Sequence, residues 1–233
     1  LRDGRFQLDA ELFWWEYEKH QEFVIGPDEL GIVGQSIINA GDATIKGASL
    51  AMAYALTDVD RVYLNAEYLD ATYDDFTYRQ SAQFTAPNLA CGASPTGVLV
   101  PGGGGQSFPE LLIDCSGLQM TRASEWTASA GYTHSFFLGD VGVLDASVDV
   151  NYVDEQWLSA NFLPSQRVDA TTVWNATLNY TDNSERYQVT AYIQNISDEA
   201  VYGSSTSHSQ VYQFVGLSVG APRTYGVRFR YSF

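Results

Sequence analysis

The chain has 233 residues, with 12 Lys+Arg against 28 Asp+Glu and a formal charge of −16. That balance argues against a nucleic-acid partner, which needs a basic surface. No apolar run approaches the roughly 18 residues of a helical membrane span.

The first strand candidate lies near residues 5–17. Phe6, Leu8, Ala10, Leu12 and Trp14 alternate with Gln7, Asp9 and Glu11, the period of an extended chain with one apolar face. Phe13, Trp15 and Tyr17 make its upper end aromatic on both faces, as at a membrane interface. Residues 18–41 contain Gly26-Pro27 and read as a loop. Near 43–56, Ala48, Leu50, Met52, Tyr54 and Leu56 share one face, and Gly47, Ser49, Ala51 and Ala53 the other. After a short turn at 57–60, residues 61–73 place Val62, Leu64, Ala66 and Tyr68 against Tyr63, Asn65 and Glu67. A long interruption near 74–124 holds Pro87, Pro95, Pro101, Pro109, the Gly102–Gly105 run, and the two cysteines, Cys91 and Cys115. In an oxidising compartment these would close a loop worth roughly 3–4 kcal/mol; two free thiols are the alternative.

The alternation resumes near 125–136, with Trp126, Ala128, Ala130, Tyr132 and His134 on one face. It continues near 143–153, where Leu144, Ala146, Val148, Val150 and Tyr152 oppose Asp145, Ser147, Asp149 and Asn151. A loop near 154–169 precedes strands near 170–181 and 186–196, joined by the turn Asp182-Asn183-Ser184. A last loop near 197–221 leads to the strand near 222–233. There Tyr225, Val227, Phe229, Tyr231 and Phe233 alternate with Thr224, Gly226, Arg228, Arg230 and Ser232.

Eight strands thus alternate between long and short connections. Each apolar strip is about 9–11 residues tall, the height of a tilted strand crossing a bilayer. Asp9, Glu11, Glu67, Asp145, Asp149, Arg228 and Arg230 all fall on the polar faces. A lysine or arginine at mid-bilayer costs about 2–4 kcal/mol, so this segregation points to apolar rows facing lipid and polar rows facing a lumen. The expected fold is all-β, an antiparallel transmembrane β-barrel with long loops on one side. Both chain ends lie on the turn side, normally the periplasm. A secreted soluble β-sandwich is the competing architecture; it would bury the apolar rows against a second sheet.

The segment Asn195-Ile-Ser-Asp-Glu199, followed by Ala221-Pro-Arg-Thr-Tyr-Gly-Val-Arg-Phe-Arg-Tyr-Ser-Phe233, resembles the end of TonB-dependent outer-membrane receptors. Asn39-Ala-Gly-Asp-Ala-Thr-Ile-Lys-Gly47 and Tyr68-Leu-Asp-Ala-Thr-Tyr-Asp-Asp-Phe76 are similar to that family's turn-to-strand and strand-exit segments. Ile196-Ser197 replaces its usual Leu-Phe. The resemblance implies a larger, about 22-stranded barrel around a plug domain, of which this chain supplies about the last eight strands, without plug or TonB box. It implies energised uptake of a scarce nutrient such as a ferric siderophore, through TonB acting on the plug. The implied partners are an N-terminal barrel and plug portion (in the same gene product or a second chain), outer-membrane lipid and lipopolysaccharide, and the barrel-assembly machinery. Tyr225, Phe229, Tyr231 and Phe233 would form the assembly signal. A complete eight-stranded outer-membrane barrel with a structural or adhesive role is the second expectation.

No Gly-x-Ser-x-Gly elbow, His-Glu-x-x-His or Cys-x-x-Cys motif occurs, so no catalytic residue, cofactor or metal is expected. Glu16, Glu18, His20 and Glu22 alternate along one extended face that has the side chains to hold a metal, but they read as a solvated strand exit. His134 reads as an interfacial strand residue. Arg228 and Arg230 are expected to pair with acids such as Asp145, Asp149 or a plug residue. Ligand contacts would come from loop tips and the upper lumen, where His20, Gln21, Tyr78, Arg79, Trp157, Phe162, Arg167, His208 and Tyr212 are the candidates. Their aromatic rings and guanidinium groups suit stacking and carboxylate binding.

Overall fold

The computed structural model describes residues 4–27, 33–85, 88–102, 105–207 and 215–233. Its strands are β1 (Phe6–Tyr17), β2 (Gln21–Pro27), β3 (Val33–Asn39), β4 (Ala43–Ala55), β5 (Asp60–Tyr73), β6 (Thr77–Ser81), β7 (Gly92–Pro101), β8 (Ser107–Asp114) and β9 (Trp126–Phe137). There follow β10 (Gly142–Val153), β11 (Gln156–Trp157), β12 (Arg167–Val168), β13 (Thr171–Asp182), β14 (Tyr187–Gln194), β15 (Tyr202–Ser207), β16 (Val215–Val219) and β17 (Thr224–Tyr231). Eight of them form one antiparallel sheet in the order β1-β4-β5-β9-β10-β13-β14-β17.

Register carries the alternation of each strand into continuous rows around the sheet. Phe6, Tyr54, Val62, Tyr132, Val148, Ala176, Ile193 and Tyr225 stand opposite one another in succession. The neighbouring row on the other face runs Gln7, Ala53, Tyr63, Gly131, Asp149 and Asn175. A one-residue slip at any pair would move a whole strand's apolar set to the polar side. The apolar rows lie open: Leu12 is 85% exposed and Val227 72%. No opposing sheet covers them among the described residues, and this rules out the soluble sandwich.

Among the described residues β1 pairs in the sheet with β4 alone and β17 with β14 alone. The sheet is therefore an open wall with two unsatisfied edges. A closed eight-stranded barrel would require β1 to meet β17, so the second expectation fails here. Open edges of this length demand further strands, because unpaired backbone groups in hydrocarbon cost several kcal/mol each.

Three glycines on the polar face sit directly opposite aromatic residues, as Phe13–Gly47, Tyr63–Gly131 and Tyr192–Gly226. A Cβ on Gly131 would lie 2.2 Å from the Tyr63 ring. Each ring lies over a position where any side chain would displace it. The turn side is held by local polar contacts. Asp182 accepts the Tyr187 N–H at 2.6 Å and the Ser184 N–H at 3.2 Å, and Ser184 holds the same carboxylate through its hydroxyl.

Two corrections concern the connections and the terminal arginines. The stretches read as loops contain strands of their own: the hairpins β2–β3 and β15–β16, the short pair β11–β12, and the three-stranded sheet β6-β8-β7. Their prolines and glycines read as breaks, yet β7 is an edge strand with a register shift between Pro95 and Leu99, where proline is tolerated. Arg228 and Arg230 face Thr190 and Gln188 and form no salt bridge among the described residues. Asp145 and Asp149 lie three strand positions away, on β10. At about 4.8 Å per strand that gap exceeds an arginine's reach.

Candidate functional site

Two surfaces can contact a solute: the polar wall of the main sheet and the tier of loops at its upper end. The wall is held by cross-strand polar pairs. Asn175 donates to Asp149 at 2.7 Å, Ser135 to Asp145 at 2.6 Å, Thr190 to Asn179 at 2.8 Å and Asn65 to Ser129 at 3.1 Å. Toward β1 the wall is concave, with a hollow of about 520 Å³ lined by Asp9, Glu11, Asn65, Glu67, Ser129 and Asn151 among others. Of its acids, Asp9 accepts from Gln7 at 2.8 Å; Glu11 and Glu67 have no cationic partner among the described residues. The wall is thus acidic toward β1 and carries Arg228 and Arg230 at its opposite edge.

The loop tier is built like the core of a water-soluble domain. Tyr73, Phe76, Ile113, Cys115, Phe162 and Gln166 are the largest fully buried side chains. Phe76 packs against Tyr73 with ring centroids 4.8 Å apart, and Trp157 meets Phe162 edge-on at 5.4 Å. Cys91 and Cys115 are joined in a disulfide, with Cα atoms 4.5 Å apart and a sequence separation of 24. Backbone bonds from Ala90 N to Phe162 O, 3.0 Å, and from Arg122 N to Trp157 O, 2.8 Å, join separate connections. Gln166 adds a third tie: its side-chain N–H donates to the Ser205 hydroxyl at 2.9 Å, and its carbonyl accepts the Leu163 N–H at 3.2 Å.

This packing settles several candidate residues. Phe162 has no accessible surface and Trp157 is 8% exposed, so neither can touch a ligand in this conformation; both are corrected to core residues of the tier. Phe162 also holds a left-handed φ of 47°, which a bulky side chain avoids unless its surroundings over-determine it. Arg167 covers the Trp157 ring at 5.6 Å and pairs with Glu155. Tyr78 is half-buried, and that burial pushes its phenol up to about 12. Arg79 is exposed and paired with Glu110 at 3.0 Å; Thr96 holds the same carboxylate at 2.9 Å. His20 lies 3.2 Å from Glu22, whose carboxylate also accepts the Tyr73 hydroxyl. Gln21 is exposed. His208 and Tyr212 lie outside the described residues. The structure therefore gathers Trp157, Phe162 and Arg167 with Tyr73 and Phe76 and leaves Gln21 and Arg79 on the rim. Gln166 and Glu22 were missed as structural ties, because a polar residue that joins distant segments carries no local signature.

An open, outward-apolar, inward-polar antiparallel sheet capped by packed loops is a segment of a transmembrane β-barrel wall. The family model described as TonB dependent receptor-like, beta-barrel matches residues 1–196, and the chain belongs to that family. These are outer-membrane transport proteins, not enzymes. The fold is similar to the ferric yersiniabactin uptake receptor FyuA from Yersinia pestis, at TM-score 0.67 and 14% identity, covering 100% of this chain and 28% of that one. It is similar to the siderophore receptor PiuA from Acinetobacter baumannii, at TM-score 0.62 and 16% identity, covering 98% and 26%. It is also similar to the copper transporter OprC, at TM-score 0.60 and 13% identity, covering 100% and 29%. The chain therefore spans little more than a quarter of these proteins. No curated protein matches it.

Proposed function

We propose that this chain is one portion of the barrel of a TonB-dependent transporter, which takes up a scarce nutrient such as a ferric siderophore across the outer membrane. The observation that carries the reading is the open wall, with apolar rows outside, polar rows inside and both edges unpaired. Such a wall works only with further strands to close it, and its polar face then lines a lumen wide enough for a plug. The plug would fill that lumen and relay energy from TonB. The aromatic outer face of β17, with Tyr225, Phe229 and Tyr231, offers a surface to the barrel-assembly machinery, and the outer rows face lipid and lipopolysaccharide. On the solute side, Gln21 and Arg79 at the rim and the polar wall below them remain the contact candidates.

The test is uptake of radiolabelled ferric siderophores by cells that carry the full receptor containing this segment, with and without a functional TonB complex. TonB-dependent accumulation of at least one ferric complex is expected. Equal accumulation in both strains for every complex would refute energised transport.

A further inference from the structure

Between two levels the outer face of the wall carries no charge. On β5, Asp60 and Asp70 share the outward face with Val62, Leu64, Ala66 and Tyr68 between them. The ten residue steps that separate them span about 33 Å along the strand, or about 25 Å across a membrane at a tilt near 40°. That is the height of the apolar band of such a barrel. Asp70 pairs with Lys46 at 3.0 Å on the loop side, next to the Trp14 ring. Asp60 marks the opposite boundary, on the side of the short turns.

At that boundary Asp60 has no lysine or arginine partner among the described residues. Its Oδ1 accepts the Tyr132 hydroxyl at 2.6 Å and lies 2.7 Å from His134 Nδ1, while the Thr57 hydroxyl donates to Oδ2. The carboxylate thereby fixes the imidazole ring, which packs edge-on against Phe136 with centroids 4.3 Å apart. His134 Nε2 has no hydrogen-bond partner among the described residues. Beside it, the outer face has an apolar hollow of about 710 Å³, lined by Tyr132, Phe136, Ala146, Val148, Ala176 and Leu178 among others. A polar nitrogen at headgroup depth, a carboxylate with an uncommitted lone pair and an apolar trough toward mid-membrane match the parts of one molecule.

We propose that Asp60, Tyr132 and His134 form a binding site for an ethanolamine phospholipid of the leaflet on the turn side. His134 Nε2 and Asp60 Oδ2 receive the ammonium group, and an acyl chain lies in the hollow. The zwitterionic headgroup complements the Asp60–His134 pair without adding net charge. This site rests on the membrane reading given above.

The test uses the full receptor reconstituted in vesicles of phosphatidylethanolamine with phosphatidylglycerol, then extracted in mild detergent for native mass spectrometry. The wild type is expected to retain phosphatidylethanolamine in preference to phosphatidylglycerol. His134→Phe preserves the ring and its packing while removing both nitrogens, and about tenfold less retained lipid is expected. Ala176→Trp fills the hollow from β13, two strands away from the polar triad, and is expected to reduce retention as well. Each variant is checked for heat-modifiable mobility on gels, the mark of an intact barrel. Folded variants that hold as much phosphatidylethanolamine as the wild type, or a wild type with no headgroup preference, would overturn the site. A wild-type receptor that never enters the vesicles would instead overturn the membrane reading.

Discussion

The wall and the loop tier are opposite solutions to the same alternating sequence. In the wall, aromatic and aliphatic rows stand exposed, Tyr225 at 80%, and backbone pairing holds the strands. In the tier, Phe162 and Tyr73 are sealed off completely, and side-chain packing holds three connections together. The wall depends on hydrocarbon to make its outer surface favourable, whereas the tier carries its own apolar interior in water. Stability in the two regions should therefore respond to different perturbations.

The largest separation is expected from Phe162→Ala. Emptying that fully buried site should destabilise the tier by about 3–5 kcal/mol, read as faster proteolysis and hydrogen exchange in the connections, while the wall keeps its heat-modifiable mobility. Replacing Cys91 and Cys115 by serine should loosen the same tier by roughly 3–4 kcal/mol, with the cleavage sites confined to residues between 74 and 124. Leu64→Arg attacks the other region. It places a cation on the outer face in the middle of β5 and should cost about 2–4 kcal/mol in denaturant unfolding from lipid. Asn65→Arg, one residue on and facing the lumen, should stay near wild type; equal costs at the two positions would mean that the faces are assigned wrongly.

The smallest effect expected is one of pH. Asp114 lies in the tier on β8, and hydrogen bonds from the Ser116 hydroxyl and backbone hold its carboxyl below the usual range. Because the folded value is depressed, its contribution is present above the unfolded carboxylate pKa and is lost as pH falls through the folded value. Hydrogen exchange around residues 114–118 should therefore rise on acidification, and Asp114→Asn should flatten that rise.

The wall was legible because its signal is local. Leu64 and Asn65 announce their faces through the residues two positions away, and the cross-strand register merely extends that pattern. The tier was not. Pro95 and Pro101 punctuate β7 so strongly that only its edge position explains a strand there. Phe162 looks like any loop aromatic suited to stacking on a ligand; nothing nearby reveals that Trp157, Tyr73 and Phe76 surround it. Candidate contacts chosen for chemical type thus mixed rim residues such as Arg79 with interior ones. Burial set by distant segments is what sorts them.

The ties Ala90–Phe162, Arg122–Trp157 and Gln166–Ser205 also limit how this surface can diversify. Surface connections usually drift one at a time, each free to lengthen or change without consulting its neighbours. Here the segment around 74–124 and the one around 154–169 share a single interior, and the β15–β16 hairpin is tied to it through Gln166, so a graft of any one from a relative would arrive with an incomplete interface. New recognition specificities should arise by exchange of all three as a cassette, or by substitutions confined to the outermost rim.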